Sequence, residues 1–171
     1  GEFLCAIFDE WVRNDVGNYC IQLFDATLAN WMRVSPGICS LAKECGHAGV
    51  MEYNGDVYSC DHFVYPEYRL GNINEQTITQ MMYSQQQKDF SKMKRQLLPK
   101  QCEECRFAFA CHGECPKNRF IKDKYGNPGL NYLCEGYYMF FEHAAPYMDF
   151  MKNELEAKRS PANVMKMILE K

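Results

Sequence analysis

The sequence predicts an α+β fold in which a small β-hairpin and cysteine-rich loops are flanked by helices. Three features of the 171 residues support this prediction: ten cysteines, an Asn-Gly pair between two alternating apolar runs, and long segments with apolar residues at helical spacing. Hydrophobic residues make up 47% of the chain, so it can bury a core without depending on disulfide bonds.

The first 34 residues are predicted to form a helix, a strand and a second helix. Apolar residues recur at helical spacing from Phe3 to Val12, and Gly17 is a typical residue just beyond a helix end. Residues 19–24 are interpreted as a short buried strand and residues 26–32 as another helix. This order is typical of the last unit of an α/β fold.

A β-hairpin is predicted around Asn54 and Gly55, because both residue types tolerate positive φ in a tight turn. Its second strand leads to Cys60, and the hairpin would bring this thiol back towards the loop that carries Cys39 and Cys45. Three thiols would therefore converge, and a fourth metal ligand would have to come from elsewhere in the chain.

A further strand and a helix are expected after the hairpin. Residues 68–73 are interpreted as the strand. Thr77 and Gln80 match the capping-box pattern that opens a helix, which we expect to run to about Gln96. Pro99 would close that helix before the next cysteines, within a central segment that spans residues 35–135.

The last segment, residues 136–171, is predicted to be helical. Its apolar residues follow one helix face, with Pro146 expected to kink or restart the helix. Ser160 and Pro161 form an N-cap and N1 pair that would open a short final helix.

Eight cysteines are interpreted as ligands of two four-coordinate metal centres, around which the hairpin and loops would be arranged. Four of them follow a C-x2-C-x5-C-x3-C spacing, which is typical of metal sites. The candidate ligands are Cys39, Cys45, Cys60, Cys102, Cys105, Cys111, Cys115 and Cys134. Cys5 and Cys20 stand alone and are interpreted as small core residues.

The spacing leaves two kinds of metal centre open, because zinc and a [4Fe–4S] cluster can each take four thiolates. The absence of histidine at ligand spacing and the apolar flanks favour iron and sulfur. Disulfide pairing of the ten cysteines is disfavoured, because clustered C-x2-C spacing in a chain that we expect to be cytoplasmic favours metal binding.

Charge and hydropathy exclude some partners. A net charge of −3 argues against general nucleic-acid binding. No apolar run approaches the roughly 20 residues of a membrane span. We expect a monomer. A basic run is interpreted as a solvated helix face; it comprises Lys88, Lys92, Lys94, Arg95 and Lys100.

The cysteine pattern resembles the SPASM domain, the C-terminal twin-cluster module of a class of radical S-adenosylmethionine enzymes. The strings from Cys111 to Phe120 (CHGECPKNRF) and from Tyr58 to Val64 (YSCDHFV) resemble those of anaerobic sulfatase-maturating enzymes. The similarity covers nearly the whole chain, because the segment before Pro36 resembles the end of that family's partial barrel.

The resemblance implies an oxidoreductase that converts a serine or cysteine of a sulfatase polypeptide to Cα-formylglycine. It implies a first auxiliary [4Fe–4S] cluster on Cys39, Cys45, Cys60 and Cys115, and a second on Cys102, Cys105, Cys111 and Cys134. Clusters with four thiolates leave no position for substrate, so the domain would transfer electrons and dock the substrate. Asp61 falls on the family's catalytic-base position. A buried carboxylate near an anionic cluster should have a raised pKa.

One family feature is missing: the radical-generating C-x3-C-x2-C motif. Cys111 and Cys115 have its first spacing, but residue 118 is asparagine. We therefore expect a part of a longer enzyme, inactive alone, with S-adenosylmethionine and a third [4Fe–4S] cluster bound only in the full-length enzyme. Two alternatives are a SPASM domain of another radical peptide maturase and a zinc-binding interaction module. Zinc could also fill the sites of the isolated domain.

Overall fold

The computed structural model describes residues 1–169 and confirms a mixture of helices and small antiparallel sheets. The helices are α1 Glu2–Asn14, α2 Gln22–Trp31, α3 Ile78–Met82, α4 Gln85–Gln96, α5 Lys100–Glu103, α6 Ala108–Cys111, α7 Cys134–Glu156 and α8 Asn163–Leu169. The strands are β1 Val50–Met51, β2 Asp56–Tyr58, β3 Arg69–Asn72, β4 Ile121–Lys122 and β5 Pro128–Leu130.

The main core joins the two ends of the chain. Helices α1, α2 and α8 pack against α7, and aromatic side chains fill the space between them. Phe8 of α1 is fully buried, with ring centroids 5.2 Å from Phe24 and 5.8 Å from Phe140. Burying each such ring contributes about 1.5–3 kcal/mol, so this core is the main support for the rest of the molecule.

The strand predicted over residues 19–24 is wrong. The chain enters α2 at Gln22, and the preceding turn is fixed by Trp11 Nε1, which donates to the carbonyl of Tyr19 at 2.9 Å. A short apolar run does not distinguish a strand from a buried helix. Here Ile21, Phe24 and Trp31 are three and seven residues apart, so they lie on the same face of a helix. The first segment is two helices, so the helix–strand–helix expected of an α/β unit is not observed there.

The hairpin prediction is confirmed. Strands β1 and β2 pair antiparallel, and Gly55 in the turn has φ of +86°, which a glycine adopts without strain. The strand predicted over residues 68–73 is confirmed as β3, which pairs with the other edge of β2. Val57 of β2 packs with Met81 and Met82 of α3 in a second, smaller core.

The helix predicted from Thr77 to Gln96 is two helices. The capping box is confirmed: Thr77 N donates to Gln80 Oε1 at 3.0 Å, and Gln80 N donates to Thr77 Oγ1 at 3.2 Å. The chain then breaks at Ser84, whose hydroxyl accepts from Gln87 N and caps α4. Ser84, as the N-cap of α4, has an extended backbone, and this interrupts the helix that the pattern predicted.

Helix α7 runs without interruption through Pro146, so the helix does not restart there. Beyond it, α8 begins at Asn163, two residues after the predicted start. Strands β4 and β5 form a second hairpin that the sequence did not indicate. Within residues 1–169, no helix is long and apolar enough to span a membrane.

Candidate metal centre

The first cavity lies where α5, α6 and the start of α7 meet. It has a volume of about 370 Å³. Four of the predicted ligands line it, namely Cys102, Cys105, Cys111 and Cys134. Burial raises the pKa of Cys111 to about 12 and that of Cys102 to about 11. These thiols therefore stay protonated at neutral pH until a metal displaces the protons.

The second cavity lies between the hairpin, α4 and the residues that follow α6. Its volume is about 120 Å³. The other four predicted ligands line it, namely Cys39, Cys45, Cys60 and Cys115. Cys45 is tied to α4, because its N–H donates to the carbonyl of Ser91 at 3.1 Å. Burial raises the pKa of Cys60 to about 11.

A left-handed turn separates the two cavities. Cys111 lines the first and Cys115 the second, although only three residues lie between them. Those residues, His112, Gly113 and Glu114, all have positive φ of 49°, 72° and 54°. Successive left-handed residues reverse the chain sharply. The buried Glu114 carboxylate holds the turn by accepting from two asparagine side chains, at 2.9 and 2.5 Å.

The thiols surround each cavity and are not gathered at one point. Across residues 1–169 there is no group of three or more cysteine, histidine or carboxylate side chains placed to hold a single metal ion. All ten cysteines are free. Each cavity therefore presents four thiols as donors, which is the donor set of a [4Fe–4S] cluster.

An unpaired hydroxyl lies in the wall of the second cavity. Ser59 is 1% exposed, and its Oγ has no hydrogen-bond partner within the described part of the chain. The neighbouring Gln87 also has an unpaired Oε1, while its Nε2 donates to the carbonyls of Ser59 and Gly46. Buried hydroxyls without partners are rare, and a cluster sulfur in the cavity would provide an acceptor. This observation fits an iron–sulfur group.

Asp61 lies at the rim of the second cavity and differs from expectation. Its side chain is 70% exposed, so the argument for a buried, raised-pKa carboxylate is wrong here. A hydrogen bond from the Cys60 thiol to Asp61 Oδ1, at 3.3 Å, lowers the pKa of the carboxyl. Asp61 is therefore ionised and open to solvent. His62 is adjacent, with Nδ1 3.6 Å from Cys115 Sγ.

The interpretation of the basic run as a solvated face fails at Lys94, which is fully buried. Its ammonium donates to the carbonyls of Cys39 and Ser40, at 2.6 and 2.7 Å. Helical spacing could have indicated this, since Lys94 follows the buried Phe90 by four residues. Arg119 is a second basic residue near the thiols that the sequence did not single out.

The cavities and the family comparison define the class of protein. The model of the SPASM family, described as an iron-sulfur cluster-binding domain, matches residues 43–106. That range contains cysteines of both cavities, Cys45 and Cys60 of the second and Cys102 and Cys105 of the first. This part of the chain is therefore similar to a domain that binds iron–sulfur clusters.

Two curated relatives are similar to this chain over nearly its whole length. The chain is 66% identical over 168 residues to a serine-type anaerobic sulfatase-maturating enzyme of Bacteroides thetaiotaomicron, covering 98% of this chain and 41% of the relative. It is 30% identical over 157 residues to a cysteine-type anaerobic sulfatase-maturating enzyme of Clostridium perfringens, covering 91% of this chain and 42% of that protein.

A solved structure agrees with these relatives. "Native anSMEcpe with bound AdoMet and Kp18Cys peptide" matches with a TM-score of 0.77 at 30% identity, over 90% of this chain and 42% of that chain. The chain is thus related to the anaerobic sulfatase-maturating enzymes, and it spans about two fifths of the length of the relatives it matches.

Proposed function

We propose that each cavity holds one [4Fe–4S] cluster. The support is that each is lined by four cysteines, and that the matched family binds iron–sulfur clusters. The proposed ligands are Cys39, Cys45, Cys60 and Cys115 for one cluster, and Cys102, Cys105, Cys111 and Cys134 for the other. With all four positions of each cluster occupied by thiolates, substrate would not bind to iron.

We further propose that this domain serves an enzyme that oxidises a serine or cysteine of a sulfatase to Cα-formylglycine. Both relatives described above are named anaerobic sulfatase-maturating enzymes, and the matched structure has a peptide bound. The clusters supply electron transfer when bound. The rest of the chain would present a surface on which the polypeptide substrate docks, close to the second cavity.

Asp61 is the proposed catalytic base. Its carboxylate is exposed at the rim of the second cavity, so a substrate hydroxyl or thiol can reach it. Loss of two electrons from the substrate side chain to form an aldehyde also releases this proton, and a carboxylate can accept it. Because Asp61 is exposed here, a docked peptide would have to cover it before its pKa could rise.

The domain division also remains a proposal. Residues 35–135 would form the twin-cluster domain, while residues 1–34 would end a partial barrel and residues 136–171 would add the C-terminal helices. In the structure the two end segments share one core, on which the cysteine-rich segment is mounted. S-adenosylmethionine and a third cluster would bind elsewhere in the full-length enzyme, which we expect to be a cytoplasmic monomer.

The proposed clusters rest on the two cavities, each lined by four cysteines. Metal analysis of the protein tests this proposal. Anaerobic reconstitution should give about eight iron and about eight sulfide per chain, with a brown colour from broad visible absorption. Colourless protein with about two zinc would favour a zinc-binding interaction module instead. Incubation with reductant and S-adenosylmethionine should yield no 5′-deoxyadenosine, because this chain lacks the C-x3-C-x2-C motif.

A further inference from the structure

Lys94 is a buried cation without an acidic partner. It is 0% exposed, and its ammonium donates to two main-chain carbonyls, those of Cys39 and Ser40. Among residues 1–169 it forms no ion pair, since the salt bridges found there involve other side chains. Burying an ammonium is unfavourable unless another charge compensates it.

Arg119 is a second, half-buried cation of this kind. Its guanidinium donates to the carbonyls of Lys94 at 2.6 Å, Gly113 at 2.8 Å, His112 at 2.9 Å and Glu114 at 3.0 Å. It too forms no ion pair within the described residues.

The left-handed turn is shaped around this guanidinium. A Cβ on Gly113 would come within 2.6 Å of the guanidinium and 2.4 Å of Leu98. Glycine at this position therefore lets Arg119 lie against the segment that separates the two cavities.

The two cations bind main-chain carbonyls of residues that carry the thiols or lie next to them. Lys94 donates to the carbonyl of Cys39, one of the four cysteines that line the second cavity. Arg119 donates to the carbonyls of the three turn residues that lie between Cys111 of the first cavity and Cys115 of the second. Its charge therefore lies between the two cavities.

We infer that Lys94 and Arg119 are the counter-charges of the two clusters and set their reduction potentials. This inference rests on the proposed clusters. A [4Fe–4S] core with four thiolates is anionic, and one-electron reduction adds further negative charge. A nearby fixed cation stabilises the reduced form more than the oxidised form, so it raises the potential. Lys94 acts on the cluster of the second cavity, and Arg119 acts on both.

A purely structural role is the competing explanation, since both side chains bind carbonyls and brace the loops around the thiols. The two roles differ in their response to charge. Lys94→Arg and Arg119→Lys keep the charge and change the hydrogen-bond geometry. Lys94→Met and Arg119→Gln remove the charge and keep much of the volume. Lys92→Met is the matched control, because Lys92 is exposed on the same helix.

The experiment is a redox titration of the anaerobically reconstituted protein, followed by electron paramagnetic resonance, with iron and sulfide measured for every variant. Lys94→Met should lower the potential of one cluster by at least about 59 mV, which is about tenfold in a one-electron equilibrium. Arg119→Gln should lower both. The two charge-preserving variants and the Lys92→Met control should stay near the wild-type values.

Each outcome decides the inference. Neutral variants that carry full clusters at unshifted potentials would overturn it. If the neutral variants fail to assemble clusters while the charge-preserving variants assemble them at wild-type potentials, the clusters require the positive charge, which supports the counter-charge role. If the charge-preserving variants fail as the neutral ones do, the role is structural and the inference is wrong. Wild-type protein that binds no iron would refute the proposed clusters themselves, a separate result.

Discussion

Cys111 and Cys115 offer the sharpest test of the site, because they are neighbours in the sequence but line different cavities. Each single change to alanine should remove one ligand set of four thiols. The iron content should then fall from about eight to about four per chain, with the remaining cluster intact. Cys5→Ala, which lies outside both cavities, should leave the iron content unchanged.

The double variants separate the two possible groupings of thiols. Removing Cys102 and Cys111, which share a cavity, should leave about four iron, because the other set is complete. Removing Cys111 and Cys115 should leave almost none, because each set has then lost a ligand. If instead the contiguous C-x2-C-x5-C-x3-C stretch formed one site, the Cys111 and Cys115 double variant would keep about four iron, because the other site would be complete.

Iron and sulfide analysis of anaerobically reconstituted protein measures these values, and the visible absorbance provides an independent check. Far-ultraviolet circular dichroism shows whether each variant retains its helices. The reasoning is refuted if the Cys111 and Cys115 double variant keeps about four iron, as the Cys102 and Cys111 double variant does.

Three further predictions follow from single side chains. In the full-length enzyme, Asp61→Asn should keep its clusters and still form 5′-deoxyadenosine but produce formylglycine far more slowly; normal maturation would exclude Asp61 as the base. Phe8→Ala should cost about 3–5 kcal/mol and lower the melting temperature by about 6–20 °C. Phe3→Ala, on the same helix at 74% exposure, should change it little, and equal losses would contradict the assignment of the core. Hydrogen bonds from Arg159 and then Asn163 hold the pKa of the Glu154 carboxyl at about 2, below its ordinary 4.5, so its stabilising contribution is complete above pH 4.5 and is lost as pH falls towards 2. The difference in urea midpoint between wild type and Glu154→Gln should shrink over that range, and a constant difference would show that this ion pair does not stabilise the fold.

Local features of the fold were determined by the sequence alone. The hairpin at Asn54 and Gly55, the capping box at Thr77 and the amphipathic helix α1 each depend on residues a few positions apart, so their patterns could be recognised directly. The sequence also predicted the number and type of the candidate metal donors, because eight clustered cysteines have few other uses in a chain with this much apolar core. The spacing did not distinguish zinc from iron and sulfur.

Tertiary structure decided the grouping and surroundings of those donors. Cys39 and Cys115 share a cavity although they are far apart in the chain, and the resemblance to a known family, not the spacing, indicated this arrangement. The exposure of Asp61 and the burial of Lys94 also depend on which element covers each side chain. The end of the apolar run, residues 22–24, belongs to helix α2, which packs against α7. Long-range packing sets these outcomes, and it leaves no signature in short sequence patterns.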